Sequence, residues 1–464
     1  MTPPVSSLAG RRVVVAGAGR SGIAAVRAAL DLGAVVTVTD PTGGLPADLA
    51  GAVTVVPELD APPAGTDLVI TSPGLRPTHP LLRSALDVGL EVISEVEFGW
   101  RIAEPPRPDW LAVTGTDGKT TTVGMLSSML QAGGLSAVAA GNIGDPVTDA
   151  VRARPAHAVL AVELSSAQLH FCPTIQPVAA AILNLVPDHL DWHGTFEAYA
   201  ADKGSILRPG ATAVVNADDP AVVALAADCS DVVAFTLGEP ANGQLGVVGD
   251  SLVDRAFDVA EGAIGSAGGG VELARCGDIP VSGRHNVANA LAAAALARRY
   301  GVPPKAIAAG LRAYLPAPHR NAVVGVVAGV SYVDDSKATN PHAAAGSLTS
   351  YPRVVWIAGG QLKDIDVTPL VESVRRHLVG AVLIGVDRAR IADAIARHAP
   401  DLPVVDVSTS DDGAMTEAVR AAARLAGDGD TVLLAPAGAS FDMFTDYAAR
   451  GDAFAAAVRM LEGE

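Results

Sequence analysis

Only three cysteines, Cys172, Cys229 and Cys276, occur in 464 residues. An odd, scattered set excludes a disulfide framework and points to reduced thiols, each read as buried and structural. Aromatic residues make up 4% of the chain, too few for an aromatic-rich sandwich core. No run of about 18 apolar residues occurs, so no membrane-spanning helix is expected. The opening MTPPVSSLAG lacks the basic and apolar halves of a secretory leader. Basic residues are also short, 33 against 50 acidic, a formal charge of −17. That balance excludes a general nucleic-acid or anionic-membrane surface, which needs a long-range positive field. The expectation is a cytoplasmic protein that meets small anionic ligands in local cationic pockets.

Apolar residues reach 49% and glycine numbers 48, a balance suited to Ala/Val/Leu-rich α/β layers. The length exceeds one ordinary core, and the chain divides into three α/β units. The first, 1–107, alternates VVVAGAG, an Ala-rich helix, AVVTVTD and DLVITSPG, the order of a Rossmann-like βαβ series. It ends in AEPPRPD, whose prolines suit neither helix nor central strand. The second, 108–316, runs through WLAVTG, AVLAVEL, AAILNLV and ATAVVNADD and predicts a larger, mostly parallel sheet. Its Gly-rich stretch 237–283 fits a small antiparallel excursion or a loop-rich edge. The third, 317–464, follows the break YLPAPHRN and carries VVWIAGG, AVLIGV and TVLLAPAGAS, a second Rossmann-like unit.

The most informative segment is WLAVTGTDGKTTTVGML. An apolar strand enters a glycine loop and a helix follows at once, the setting of a phosphate loop. Backbone N–H groups of Gly115, Thr116, Asp117 and Gly118 and of the first helical residues, through Thr121, can surround phosphate oxygens. Lys119 adds a point charge, and Thr120 a hydroxyl for Mg²⁺. Position 113 is Val where the usual pattern has its first glycine, so the loop is a shorter variant. ATP with Mg²⁺ is the expected cofactor. Glu163 ends an apolar strand where a carboxylate could meet the metal. His189 lies in PDHLDWH, a cluster of ligating types after another apolar run. Lys203, a turn or more into a helix beginning near Thr195, reads by itself as solvated.

Gly17, Gly19 and Gly22 form G-x-G-x-x-G between a strand and a helix, with Asp40 at the end of the next strand. The pattern reports a pyrophosphate-accepting turn, which taken alone favours NAD and an oxidoreductase. That reading leaves the phosphate loop and the third unit without a task. A nucleotide-driven switch is the non-enzymatic alternative.

Taken in order, AGAGRSG, SPGL, TGTDGKTTT, GNIGDP, VELSSAQL, PDHLDWHG, SGRHNVANAL, PHRN, DDSKATNP and APAGASFDMF resemble the Mur ligase family over essentially the whole chain. DSKATN, residues 335–340, is similar to the pattern of its D-glutamate-adding branch. Folylpolyglutamate synthetases share the loop but lack an amino-terminal unit like 1–107. The resemblance implies an ATP-dependent amide ligase that joins D-glutamate to UDP-N-acetylmuramoyl-L-alanine through an acyl phosphate, acts as a monomer, and serves peptidoglycan precursor synthesis. It gives Lys119 and Thr120 to ATP and magnesium, and Glu163 and His189 to two metal sites. Asn142 is placed near the reaction centre, and His189 is a candidate base for the amine. Lys203 matches a lysine that becomes carbamylated and holds the second magnesium. Asn289, Arg320 and Asp335 match ADP contacts, with the third unit closing over nucleotide. Lys337, Thr339, Lys363, Ser440, Phe441 and Tyr447 match the D-glutamate pocket, Tyr447 standing where the family has Phe. Gly19, Arg20, Ser21, Gly22, Ser72, Pro73 and Gly74 match the uridine-nucleotide side.

Overall fold

The computed structural model describes residues 7–41, 44–257, 269–362, 365–408 and 413–462. They form three sheets. The first is five parallel strands in the order Thr54–Val56, Val35–Thr39, Arg12–Ala16, Leu68–Thr71, Val92–Ser94. Its central strand, RVVVA, is buried from Val13 to Ala16, as a strand covered on both faces requires. The helix Arg20–Asp31 packs its alanines against that sheet.

The second sheet has nine strands, in the order Val271–Arg275, Ser251–Asp254, Gln244–Val248, Val232–Phe235, Thr212–Asn216, Ala179–Ile182, Asp109–Thr114, Val159–Glu163, Ala137–Gly141. Eight of the nine run in one direction; Ser251–Asp254 is reversed and pairs antiparallel with both Gln244–Val248 and Val271–Arg275. Within the Gly-rich stretch, the described residues therefore include an antiparallel excursion, while 258–268 lie outside the described residues. The third sheet runs Ala322–Val327, Val330–Asp334, Thr431–Ala437, Val354–Gly359, Leu378–Ile384, Val404–Asp406, parallel except at the first pair.

By compactness the chain falls into two units, 1–278 with 288–314 and 279–287 with 315–464. The first unit holds the first two sheets, and a polar seam joins them. Glu97 and Arg101, four apart on the helix Glu95–Ile102, pair at 2.7 Å, and Glu97 also accepts from Thr174. Cys172 is buried there against Ser94 at 2.9 Å, whereas Cys229 and Cys276 are half-buried, against the expectation that all three lie inside.

Glu95 is the costly member of this seam. One carboxyl oxygen accepts the Thr148 N–H at 2.6 Å; the other is buried with no partner among the described residues. Loss of water pushes its carboxyl up to about 7. The folded state thus holds this proton more tightly than the unfolded chain, whose carboxyl titrates near 4.5. The stability it adds is full below that value and is lost as pH rises through about 7. Glu95→Gln keeps the acceptor for Thr148 without the charge. Its melting temperature should gain on wild type by a few degrees between pH 5 and pH 8; an unchanged difference would place the ionised carboxylate comfortably in the seam.

Candidate functional site

In parallel sheets, ligands collect beyond the carboxyl ends of strands, and the second sheet follows this rule. Asp109–Thr114 lies between Val159–Glu163 and Ala179–Ile182, so the loops after all three strands converge. The first is the predicted phosphate loop. Gly115 (φ 151°) and Gly118 (φ 82°) occupy backbone regions that L side chains avoid, and Gly118 starts the helix Lys119–Ala132. A Cβ at Gly118 would strike the Asn289 amide, so Asn289 sits directly over the loop.

The loop is held open by its neighbours. Asp117 N–H donates to Asn184 Oδ1 at 2.8 Å, and Asn184 Nδ2 returns to Asp117 O at 3.1 Å. The Thr116 hydroxyl meets Tyr199 OH at 2.8 Å and receives the Val186 N–H at 3.1 Å. Lys119 Nζ curls back to the carbonyls of Gly115 and Thr116, at 2.9 and 2.7 Å. Thr121 is buried in the first turn.

Glu163 stands opposite, 2% exposed. Its Oε2 accepts from Thr120 Oγ1 at 2.7 Å and its Oε1 from Asn142 Nδ2 at 2.8 Å. Both hydrogen-bond partners are neutral, so neither is a countercharge to the carboxylate. These hard oxygen donors suit Mg²⁺, which takes few protein ligands and completes its shell with phosphate and water. Among the described residues no group of three or more His, Cys, Asp or Glu could hold a metal alone. A nucleotide would have to supply the rest.

Lys203 corrects the solvated reading. Thr195 caps the helix Phe196–Gly204 through Ala198 N–H, and this turns Lys203 inward to 2% exposure. Its Nζ donates to Gly115 O at 2.8 Å and lies 4.7 Å from the Tyr199 ring centroid. Burial, then the nearby Lys119 charge, hold its ammonium well below the ordinary lysine range. His189 is less committed: it takes a left-handed backbone (φ 51°) and its ring faces Asp188 at 3.5 Å.

Sequence reading missed what surrounds these groups. His193 is clamped between Asp202 Oδ2 and Ser166 Oγ, each at 2.9 Å, and Arg76 pairs with Asp191 at 2.7 Å. Asn184, a polar residue interrupting AAILNLV, is the one signal that could have been followed.

At the first sheet the glycine turn and Ser72–Gly74 adjoin. A Cβ at Gly17 would overlap Ser72, and one at Gly22 would overlap the Gly17 carbonyl; the third glycine is there for close helix packing. Asp40 accepts the Ala18 N–H at 2.7 Å. Arg20 donates to Gly144 O at 2.9 Å.

In the second compact unit, Asn321 N–H donates to Asp335 Oδ1 at 3.1 Å. Burial pushes the Asp335 carboxyl up to about 6, with Arg320 opposing. Lys337 Nζ lies 4.0 Å from the Tyr447 ring centroid. Thr339 follows on the same loop, and Ser440 is buried at the end of the neighbouring strand beside an exposed Phe441. Lys363 lies outside the described residues.

The family model for the Mur ligase middle domain matches residues 113–297, and that for the Mur ligase glutamate ligase domain matches 319–438. Proteins named UDP-N-acetylmuramoylalanine–D-glutamate ligase are similar throughout. That of Thermobifida fusca is 54% identical, the match covering 98% of this chain and all of the relative. That of Streptomyces coelicolor is 50% identical over 98% and 99%, and that of Mycolicibacterium smegmatis 48% over 98% and 97%. Among solved structures, the UDP-N-acetylmuramate–alanine ligase MurC of Thermotoga maritima shares the fold with a TM-score of 0.59 at 17% identity, over 98% of this chain and all of that one. A pseudomurein peptide ligase type C of Methanothermus fervidus does so at 0.55 and 19%, over 92% and 96%.

Proposed function

We infer, since this chain belongs to the Mur ligase family, that it is the ATP-dependent ligase that adds D-glutamate to UDP-N-acetylmuramoyl-L-alanine in peptidoglycan precursor synthesis. The carrying observation is identity of about one half, along nearly the whole chain, to relatives that bear that name. The proposal assigns 1–107 to the uridine nucleotide, 108–316 to ATP and 317–464 to D-glutamate, in a cytoplasmic monomer. No helix among the described residues is long and apolar enough to cross a membrane.

Amide formation from a carboxylate and an ammonium ion is poorly driven in water, so the carboxylate needs a leaving group. In the proposed reaction the L-alanyl carboxylate takes the γ-phosphoryl group, giving an acyl phosphate and ADP. The neutral amine of D-glutamate then attacks the carbonyl, and phosphate leaves. Phosphate-loop N–H groups hold the triphosphate, and Lys119, released from the Gly115 and Thr116 carbonyls, meets charge that develops on the transferred group. Magnesium, when bound, offsets phosphate charge. Thr120, Glu163 and a carbamylated Lys203 are the residues that would hold it, with His189 completing the set. Asn142 orients Glu163.

Phosphate release from ATP tests this, with UDP-N-acetylmuramoyl-L-alanine, D-glutamate and magnesium omitted in turn and L-glutamate substituted. Release should need every component, with the D-glutamyl product found by mass. Release indifferent to both substrates would mean an ATPase or switch; no release would return the glycine turn and NAD to consideration.

A further inference from the structure

A buried arginine with no place in the reaction lies beneath the proposed D-glutamate pocket. Arg450, on the helix Tyr447–Glu462, is 1% exposed. Its Nε donates to Ser336 Oγ at 2.9 Å, its Nη2 to Ser336 O at 2.9 Å and its Nη1 to Gly438 O at 3.1 Å. The Ser336 hydroxyl in turn donates to Tyr447 O at 2.7 Å. A Cβ on Gly360 would come within 3.2 Å of Nη1, so the loop after Val354–Gly359 also rests on the guanidinium.

The acceptors are the point. Ser336 immediately precedes Lys337 and lies three residues before Thr339. Gly438 lies two residues before Ser440, and Tyr447 opens the arginine's own helix. The loop at Gly360 is laced to the Ser440 strand end, with Gln361 and Ala439 exchanging N–H to carbonyl bonds at 2.8 and 2.9 Å. One planar fork therefore fixes the separation of segments that would grip different ends of a short dianionic amino acid. Lysine cannot replace it, having one donor centre and no fixed fork.

Retaining a cation here is expensive. Burial pulls the guanidinium down to about 10, with the charges of Asp442 and Asp334 opposing, so it stays charged at neutral pH although its three direct acceptors are uncharged oxygens. Removing it would also orphan the oxygens it serves, so a role in recognition has to be separated from its role in packing by which substrate's kinetics change.

We propose that Arg450 is a positioning residue for amino-acid recognition: it sets the Ser336–Thr339, Gly438–Ser440 and Tyr447 segments in the register that admits D-glutamate and rejects its mirror image. It does not touch substrate. The proposal rests on the reading of this pocket given above.

The test is steady-state kinetics of the full chain carrying Arg450→Lys, with Ser336→Ala as a milder variant that removes one oxygen. For Arg450→Lys, kcat/KM for D-glutamate should fall on the order of 10- to 100-fold, mainly through KM. The KM values for ATP and the uridine nucleotide should stay within about twofold, and the preference for D- over L-glutamate should shrink. Ser336→Ala should move the same parameters less, and it decides the matter if Arg450→Lys does not fold. Equal losses toward all three substrates with a lowered melting temperature would overturn the proposal, as would unchanged D-glutamate kinetics. If wild type itself shows no D-glutamate dependence, the functional reading fails, and this proposal fails with it.

Discussion

Replacing Lys203 with Ala is expected to lower ligase turnover by about 1,000-fold or more, a loss set by the removal of charge stabilisation at the phosphoryl group. The side chain is buried, its Nζ is 2.8 Å from the Gly115 carbonyl, and burial together with Lys119 favours its neutral form. A neutral amine is nucleophilic: it adds CO₂, forms an N–C bond and releases a proton, and the product is a carboxylate. A cation that repels Lys119 and a metal would thus become an anion that attracts both. The unmodified lysine also has a pH signature. Its folded-state value is depressed, so the unfolded chain binds the extra proton, and folding stability rises with pH up to the ordinary lysine range. Lys203→Met should abolish that slope and leave the protein more stable at pH 7, the trade expected of a residue kept for chemistry. Two measurements check the assignment. Wild type supplied with ¹³C-bicarbonate should show a carbamate carbon signal that Lys203→Ala lacks, and added bicarbonate should not restore the variant. Undiminished turnover in Lys203→Ala would remove the residue from the mechanism.

Why that lysine was misread from its residues alone is instructive. FEAYAADKGSIL contains alanines, acids and one lysine, and its periodicity marks no face strongly enough to say which way Lys203 turns. Orientation is decided by the Thr195 cap and by Tyr199, which reaches the Thr116 hydroxyl, a contact 83 residues distant in sequence. The phosphate loop was legible for the opposite reason. Strand, glycines, lysine and helix are contiguous there, and Gly115 and Gly118 take the backbone angles that only glycine adopts freely. The parallel strands were legible as well, because a strand buried on both faces must be an apolar run. The antiparallel turn through Ser251–Asp254 to the Val271–Arg275 edge was half-legible, since strands of four and five residues are too short to show a clear period. Arg450 lay wholly outside sequence reading: RGDAF presents it as an exposed helical arginine, and only the packing of three distant loops makes it a buried fork.

The carboxylate opposite the phosphate loop should matter nearly as much as the lysine. Glu163→Gln preserves size, and its amide can still accept from Thr120 or Asn142, though one of the two must then face an N–H₂ group instead of an oxygen. What it removes is the negative charge in a site of 2% exposure, where water screens little. Turnover should fall by about 100- to 1,000-fold. Binding gives a cleaner readout than activity. In wild type, added magnesium should tighten ATP if Glu163 is one of the residues that would hold the ion. In Glu163→Gln the affinity for metal-free ATP should hold or improve, since one anion facing the triphosphate has gone, while the gain on adding magnesium shrinks about tenfold or more. Asn142→Ala separates charge from orientation. It leaves the carboxylate charged but frees Oε1 from its 2.8 Å donor, so turnover should drop by about 10- to 100-fold with the magnesium effect on binding largely intact. Equal magnesium dependence in wild type and Glu163→Gln would show that the carboxylate serves the loop's geometry through Thr120 and holds no metal.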